Sequence, residues 1–313
     1  MTGSLSGNTF KITVKDKGKT ITFGVTISKP SGAGPFPAVI GYQGGNLGGA
    51  LNGMSVATIN FSNFVYGNGG ESIANDGTAR GGGLFYNIYG SGHSAGELIA
   101  WAWGVSRIID ALEATPSAGI DPRKIAVTGC SRNGKGALVA GAFDERIALT
   151  IPQESGSGGA SSWRLIASEK SGGKNIQTLG SACTECAWFR SSFCDFQNSA
   201  DKLPFDHHLL EGMIAPRGLL VIDNNIDWLG PNAGYGSGVA TAEIYKALGA
   251  SEAFTYTQVG GHDHCSLPSS QYHWVQSYVK KYLLDGTGEP AKIEAAGMNF
   301  DKTKWIPWTT PRY

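Results

Sequence analysis

The sequence predicts an α/β protein built on a doubly wound, mostly parallel sheet, and three observations carry that prediction. Six short apolar runs bounded by turn residues recur along the chain, the pattern of strands buried on both faces. One of them breaks at a turn in RKIAVTGCSRNGKGALVAG, residues 123–141, and passes straight into small residues at helical spacing. The third is compositional: 46 glycines with only 16% charged residues imply many tight turns and long ordered loops.

Residues 10–14 and 20–27 alternate apolar and polar side chains around Lys15-Asp16-Lys17-Gly18, which reads as an antiparallel hairpin at one sheet edge. Core strands follow at 37–42 (PAVIGY), 55–61 (SVATINF), 124–129, 147–151, 218–223 and 253–259. Residues 94–113 make the clearest helix. Ser94 and Glu97 stand at capping-box spacing, and Leu98, Trp101, Val105, Ile108 and Leu112 recur every three to four positions. Further helices are expected at 208–214, 239–248 and 272–284. From Tyr66 to His93, a Gly-rich stretch with Asp76-Gly77 and Gly81-Gly82-Gly83 reads as a long surface loop. It is no phosphate cradle, because no strand and helix flank it closely. The alternation of strands and helices is the layout of an α/β-hydrolase fold, a three-layer αβα sandwich. No Pro/Ser-rich linker or charge block divides the chain, so residues 1–313 are expected to form one catalytic domain.

The 25 basic residues balance 25 acidic ones, which argues against nucleic acid or an anionic membrane surface as the main partner. No run of about 18 apolar residues exists, so no membrane span is expected. The start, MTGSLSGNTF, lacks the basic and apolar regions of a signal peptide, as in a cytosolic chain or a mature domain with an added Met.

A serine at a strand-to-helix turn has its hydroxyl lifted off the sheet edge, and the helix that follows aims backbone N–H groups at whatever the hydroxyl attacks. Ser131 is therefore the candidate nucleophile. Its turn departs from the G-x-S-x-G elbow pattern: Asn133 holds the fifth position and the glycine comes one residue later, at Gly134. Serine needs a base, and the base needs an orienting acid. Val259-Gly-Gly-His-Asp-His-Cys-Ser-Leu-Pro follows the last expected strand, where this fold returns a histidine loop over the elbow, so His262 and His264 are the base candidates. Asp206-His207-His208 competes, but it opens a helix and reads as a capping Asp with partly exposed histidines. No second ligand cluster with suitable spacing accompanies it, so no metal site is expected. For the acid, the strand at 218–223 nominates Asp223 or Asp227, and Glu154 after the run 147–151 is the other option. Spacing does not decide between them.

Gly129-Cys130-Ser131-Arg132-Asn133-Gly134-Lys135 resembles the G-C-S-R-x-G-K signature of the glucuronoyl esterases, carbohydrate esterase family fifteen. The likeness extends in matching order through Gln153-Glu154-Ser155-Gly156, Leu203-Pro204-Phe205-Asp206-His207-His208, Ala215-Pro216-Arg217-Gly218, Trp228-Leu229-Gly230-Pro231 and residues 259–265, and covers most of 42–284. It implies Glu154 as the acid, because the fungal members use the glutamate after the strand that follows the elbow. It implies His264 as the base, because their histidine directly precedes a cysteine. By the same resemblance Arg132 lies at the oxyanion with its backbone N–H and its side chain, and Lys135, Gln177, Glu185 and Trp228 hold the sugar. The Gln43-Gly44-Gly45 turn, where other hydrolases place oxyanion N–H groups, is the candidate second donor. The activity implied is hydrolysis of the ester between 4-O-methyl-D-glucuronic acid of glucuronoxylan and lignin alcohols, through an acyl-enzyme on Ser131, by a secreted, extracellular monomer without metal or organic cofactor. An acetyl or feruloyl esterase acting on xylan is the alternative.

Cys130 adjoins Ser131 and Cys265 adjoins His264, so a Cys130–Cys265 disulfide would pin the two catalytic loops together. Closing so long a loop contributes about 4–5 kcal/mol in the chain-entropy model. Among Cys183, Cys186 and Cys194, an odd count leaves at least one outside any bridge within the chain. The fungal enzymes carry other disulfides where this chain has no cysteine, including one near Ser162, so the extra bridge is expected to differ, with Cys183 joined to Cys194. Disulfides argue for an oxidising compartment and secretion.

Overall fold

The computed structural model describes residues 1–65, 72–76, 80–295 and 297–312. Ten strands run in chain order as β1 (Thr2–Ser6), β2 (Thr9–Asp16), β3 (Lys19–Ser28), β4 (Phe36–Tyr42), β5 (Ala57–Phe61), β6 (Ile120–Cys130), β7 (Ile147–Gln153), β8 (Gly218–Asp223), β9 (Phe254–Gln258) and β10 (Ile293–Ala295). They form one sheet in the order β1-β2-β3-β5-β4-β6-β7-β8-β9-β10. The first three strands form an antiparallel meander joined antiparallel to β5, and every pairing from β5 to β10 is parallel. The predicted hairpin and all six predicted core strands are present. The edge strand β1 escapes a periodicity reading because its one large apolar side chain is Leu5. Its Gly3 is required by packing, since a Cβ there would lie 2.5 Å from the Phe10 ring.

The helices are α1 (Leu84–Tyr89), α2 (Glu97–Glu113), α3 (Arg132–Phe143), α4 (Trp163–Ser171), α5 (Leu179–Glu185), α6 (His207–Gly212), α7 (Pro231–Ala247), α8 (Tyr272–Leu283) and α9 (Lys302–Trp305). Alternate strand residues face opposite layers. Ala38, Ile40, Ile125 and Val127 pack with α2 and α3, while Val39, Ala126, Leu149, Ile151, Leu220 and Ile222 pack with Trp274, Val275 and Val279 of α8. On α2, Val105 and Ile108 are fully buried, each contributing about 1.5–3 kcal/mol by leaving water. The result is an α/β-hydrolase sheet with helices on both faces and the carboxyl ends of its parallel strands along one edge, where ligands bind in open α/β sheets.

Four local expectations need correction. No capping box forms at Ser94 and Glu97: the N-cap of α2 is Gly96, without a side-chain cap. The first helical N–H groups instead donate to the carbonyls of Ala187 (3.0 Å) and Trp188 (3.3 Å), and that backbone passes so close that a Cβ on Gly96 would lie 2.2 Å from Trp188 O. The Asp206 cap is real, but it spans two helices. Its carboxylate accepts from His207 N, Ser162 Oγ and Trp163 N, each at 2.8 Å, which buries His207 instead of leaving it partly exposed. Of the Gly-rich stretch 66–93, residues 66–71 and 77–79 lie outside the described residues. Much of the remainder is no surface loop: Ile73 and Ala74 are buried, Ala74 O accepts from Trp101 Nε1 at 3.1 Å, and residues 84–89 form α1, while 91–93 are exposed as expected. Helix α7 starts at Pro231, eight positions before the predicted start, because its first turns are Gly- and Ala-rich and carry no apolar stripe.

Candidate active site

The chain turns from β6 into α3 at Ser131, whose backbone sits at φ 60° and ψ −126°, a conformation rarely open to a side-chain-bearing residue. Two glycines make the turn possible. A Cβ on Gly129 would lie 2.5 Å from Asn133 O, and one on Gly134 would lie 2.5 Å from Gln153 O. This accounts for the departure from G-x-S-x-G. The close approach of β7 falls on position 134, and Asn133 is used instead to accept from Asn63 Nδ2 at 3.2 Å. Ser131 N donates to Gln153 O at 3.0 Å, anchoring the turn.

Glu154 follows β7 directly with φ 43°, which swings its carboxylate off the strand. Glu154 Oε2 accepts from His264 Nδ1 at 2.7 Å, from Cys265 N at 3.0 Å and from Asn224 Nδ2 at 3.3 Å. Since the carboxylate accepts, Nδ1 carries the proton and Nε2 is the basic nitrogen. That nitrogen is buried and makes no hydrogen bond among the described residues. Ser131 and His264 line the same cavity. His262 takes another role: its Nε2 contacts Val259 O at 2.8 Å and its Nδ1 lies 3.9 Å from Glu154 Oε1. Asp227 is exposed, and Asp223 accepts from Tyr256 OH and from Asn224 N, each at 3.0 Å. Cys130 and Cys265 are joined, with Cα atoms 5.6 Å apart, so the serine and histidine loops are tied one residue from each side chain.

The cavity has a volume of about 650 Å³. Arg132, Lys135, Gln177, Glu185 and Trp228 all line it with Ser131 and His264. Lys135 is buried, its Nζ donating to Ser155 O at 2.6 Å and lying 4.8 Å from the centre of the Trp188 ring. Burial pulls its ammonium down to about 8. Gln177 Nε2 donates to the Glu185 carboxylate, and Gln177 N donates to Trp228 O at 3.2 Å. The Trp228 and His264 rings meet edge to face, centroids 4.8 Å apart, and Trp228 is 41% exposed on the cavity wall. The Arg132 guanidinium pairs with the buried carboxylate of Asp76 and lies 3.6 Å from Glu185.

The Gln43-Gly44-Gly45 turn does not supply the second oxyanion donor. Its three N–H groups donate to Phe61 O, Gly41 O and Tyr42 O at 2.9, 3.2 and 3.0 Å, so the turn is a tight connection. The one compact group of potential metal ligands among the described residues is Cys130, His264 and Cys265, and both its sulfurs are spent in the disulfide. Cys183 is joined to Cys194, and Cys186 is a buried thiol with Sγ 3.6 Å from Asp76. Burial pushes that thiol up to about 12, which keeps it protonated and unreactive at neutral pH. Ser162, where the fungal pattern has a nearby cysteine, is the N-cap of α4.

Sequence reasoning passed over Asp76, Trp188 and Asn224. Asp76 and Trp188 carry no local signal, because their partners Arg132 and Lys135 lie far along the chain. Asn224 had one: it stands directly after β8, where this fold usually places its acid, and here it donates to Glu154 at the end of the neighbouring strand.

A serine on the elbow, an imidazole on a loop from the last long strand and a carboxylate at a strand end are the arrangement of an α/β-hydrolase. The family profile described as "Glucuronyl esterase, fungi" matches residues 12–249. A 4-O-methyl-glucuronoyl methylesterase of Hypocrea jecorina is 50% identical over 99% of this chain, which spans 66% of that relative's length. The glucuronoyl esterase catalytic domain from Hypocrea jecorina superposes with a TM-score of 0.93 at 50% identity, covering 99% of this chain and 83% of that one. A serine-to-alanine mutant of the glucuronoyl esterase from Sporotrichum thermophile, in complex with methyl 4-O-methyl-β-D-glucopyranuronate, superposes with a TM-score of 0.92 at 46% identity, covering 99% and 82%. The chain belongs to the fungal glucuronyl esterase family. No helix among the described residues is long and apolar enough to cross a membrane.

Proposed function

We propose that the protein is a serine esterase that hydrolyses esters of 4-O-methyl-D-glucuronic acid borne on glucuronoxylan, with lignin-derived alcohols as leaving groups, and that it works as a secreted, extracellular monomer. The observation that carries the reading is the 2.7 Å Glu154–His264 pair on the cavity that also holds Ser131, Lys135, Gln177, Glu185 and Trp228. His264 Nε2 takes the Ser131 Oγ proton as Oγ attacks the C6 ester carbonyl. Glu154, accepting from Nδ1–H, stabilises the imidazolium that forms. The tetrahedral oxyanion forms beside the first N–H of α3, that of Arg132, with the guanidinium of the same residue adding positive charge. Imidazolium returns its proton to the departing alcohol, leaving an acyl-Ser131. Water, deprotonated by His264, then releases the uronic acid and restores the serine. Sugar hydroxyls meet the buried Lys135 ammonium and the Gln177–Glu185 pair, and Trp228 covers the ring. The masked acid is uncharged, which suits a polar, aromatic-walled pocket. Two bridged cysteine pairs support an oxidising compartment.

The test compares benzyl 4-O-methylglucuronate with acetylated and feruloylated xylan fragments. The expected result is a kcat/KM for the uronate ester at least about a hundredfold higher, about 2.7 kcal/mol of transition-state discrimination. Preference for the acetyl or feruloyl substrates overturns the uronate assignment.

A further inference from the structure

We propose that a furrow leading away from the catalytic cavity is a binding track for the polysaccharide backbone of the substrate, with Trp305 and Trp308 as its far end. The inference rests on the esterase reading above and adds to it where the xylan chain lies.

The catalytic cavity shares Lys170 and Thr178 as a common wall with a second depression of about 500 Å³. That depression shares Arg164 and Trp305 with a third of about 220 Å³, which Trp308 and Phe300 also line. The first two each fall in the range of about 300–1,000 Å³ that takes a drug-sized ligand, so together they have room for more than one sugar ring. Amide and hydroxyl side chains border the path, among them Asn175, Thr178, Gln197 and Asn198. These groups exchange hydrogen bonds with sugar hydroxyls without demanding a charge. The far end carries two indoles, a side chain able to cover the apolar C–H face of a pyranose while its edge hydroxyls stay wet. Lys170, Gln197 and Asn198 are exposed, so the middle depression is bordered by solvent-facing side chains that a polymer can reach without threading.

The far end is also held in place before any ligand arrives. Ile306 is buried, the Phe300 ring lies 6.2 Å from that of Tyr235, and Lys302 and Thr310 both bond the Glu243 carboxylate on α7. Trp305 and Trp308 are therefore presented by a segment already tied down, which lowers the ordering cost of binding. This segment lies beyond the residues that the family profile matches.

The experiment uses Trp308→Ala, whose side chain is 47% exposed, and Trp305→Phe as a second variant that preserves packing. Each is assayed on benzyl 4-O-methylglucuronate and on the same ester carried by a xylo-oligosaccharide. We expect KM for the oligosaccharide to rise about three- to tenfold, the size of one truncated contact, with kcat and the single-sugar constants within about twofold. Unchanged oligosaccharide KM in both variants overturns the track and leaves the esterase reading standing. A rise confined to esters of bulky aromatic alcohols means that the furrow holds the leaving group, and also overturns it. Binding of ester-free xylohexaose to the Ser131→Ala protein, measured by calorimetry, provides an arm that needs no turnover. Should the protein cleave no uronate ester, the esterase reading fails, and the track survives only if Trp308→Ala still weakens xylohexaose binding.

Discussion

Glu154 and Asp223 stand at the carboxyl ends of adjacent strands, both almost wholly buried, yet they meet opposite surroundings. Glu154 lies one residue past β7 at positive φ, and its carboxylate reaches the histidine loop, where it accepts from His264, Cys265 and Asn224. Asp223 is still within β8, extends under α7 and accepts from Tyr256, which in turn accepts from Gln258 Nε2 at 2.8 Å. Burial pushes its carboxyl up to about 7, with the nearby Glu154 adding to the shift. Strand position brings a carboxylate to the edge of the sheet. The backbone turn that follows decides whether it faces the chemistry or the core.

The sharpest way to break this contrast is to remove each acid and compare turnover on benzyl 4-O-methylglucuronate. Ser131→Ala and His264→Ala should each lower kcat by about 10⁴-fold or more, and Glu154→Ala by about 10²–10⁴-fold, all with melting temperatures near that of the parent. Asp223→Asn should change kcat by less than about tenfold and register mainly in thermal stability. If Asp223→Asn proved the more damaging to kcat, the acid would be Asp223.

Asn224 bridges the two acids, its backbone N–H on Asp223 and its amide on Glu154. Asn224→Ala should lower kcat about tenfold with KM nearly unchanged, because a hydrogen bond to a charged group is worth about 1.5–3 kcal/mol and only part of it acts in the transition state. Asn224→Asp should move the acidic limb of the pH–kcat profile upward, since a second carboxylate beside Glu154 disfavours ionisation of both. Equal pH profiles for the parent and Asn224→Asp would make Asn224 a packing residue.

The smallest effect concerns a third buried acid, remote from the histidine loop. Glu211 accepts from Thr241 Oγ1, and burial pushes its carboxyl up from 4.5 to about 8. Between those values the folded state holds a proton that the unfolded state has released. The stability this contributes is full below about pH 4.5 and is lost as pH rises to about 8. Glu211→Gln has no such proton to lose. Relative to the parent it should therefore gain in melting temperature between pH 5 and 9, by a few degrees, as followed by calorimetry. A flat difference between the two across that range would show that the carboxyl does not titrate there.

Much of the frame was legible because its causes are local. The alternation at 10–14 and 20–27, the apolar runs of the core strands and the heptad-like spacing on α2 each encode a face within a few residues. The serine turn was legible for the same reason, as was a histidine loop after the last long strand. The start of α2 was not, since its N–H groups find Ala187 and Trp188 about ninety positions away. Nor was Asp76 beneath Arg132, or the Gln43 N–H spent on Phe61 O, because such partners are set by which segments meet at the strand ends.

From its own pattern the chain determined a doubly wound sheet, a serine at a strained strand-to-helix turn and a short list of acids and histidines, because periodicity and turn chemistry act between near neighbours. Its motifs added a choice among them by resemblance. Tertiary structure alone decided that Lys135 lies buried against Trp188, that Asp76 pairs with Arg132, and that Asn224 joins Asp223 to Glu154. Those outcomes depend on distances of a few ångströms between segments tens of residues apart, and such distances exist only once the sheet has brought its strand ends together.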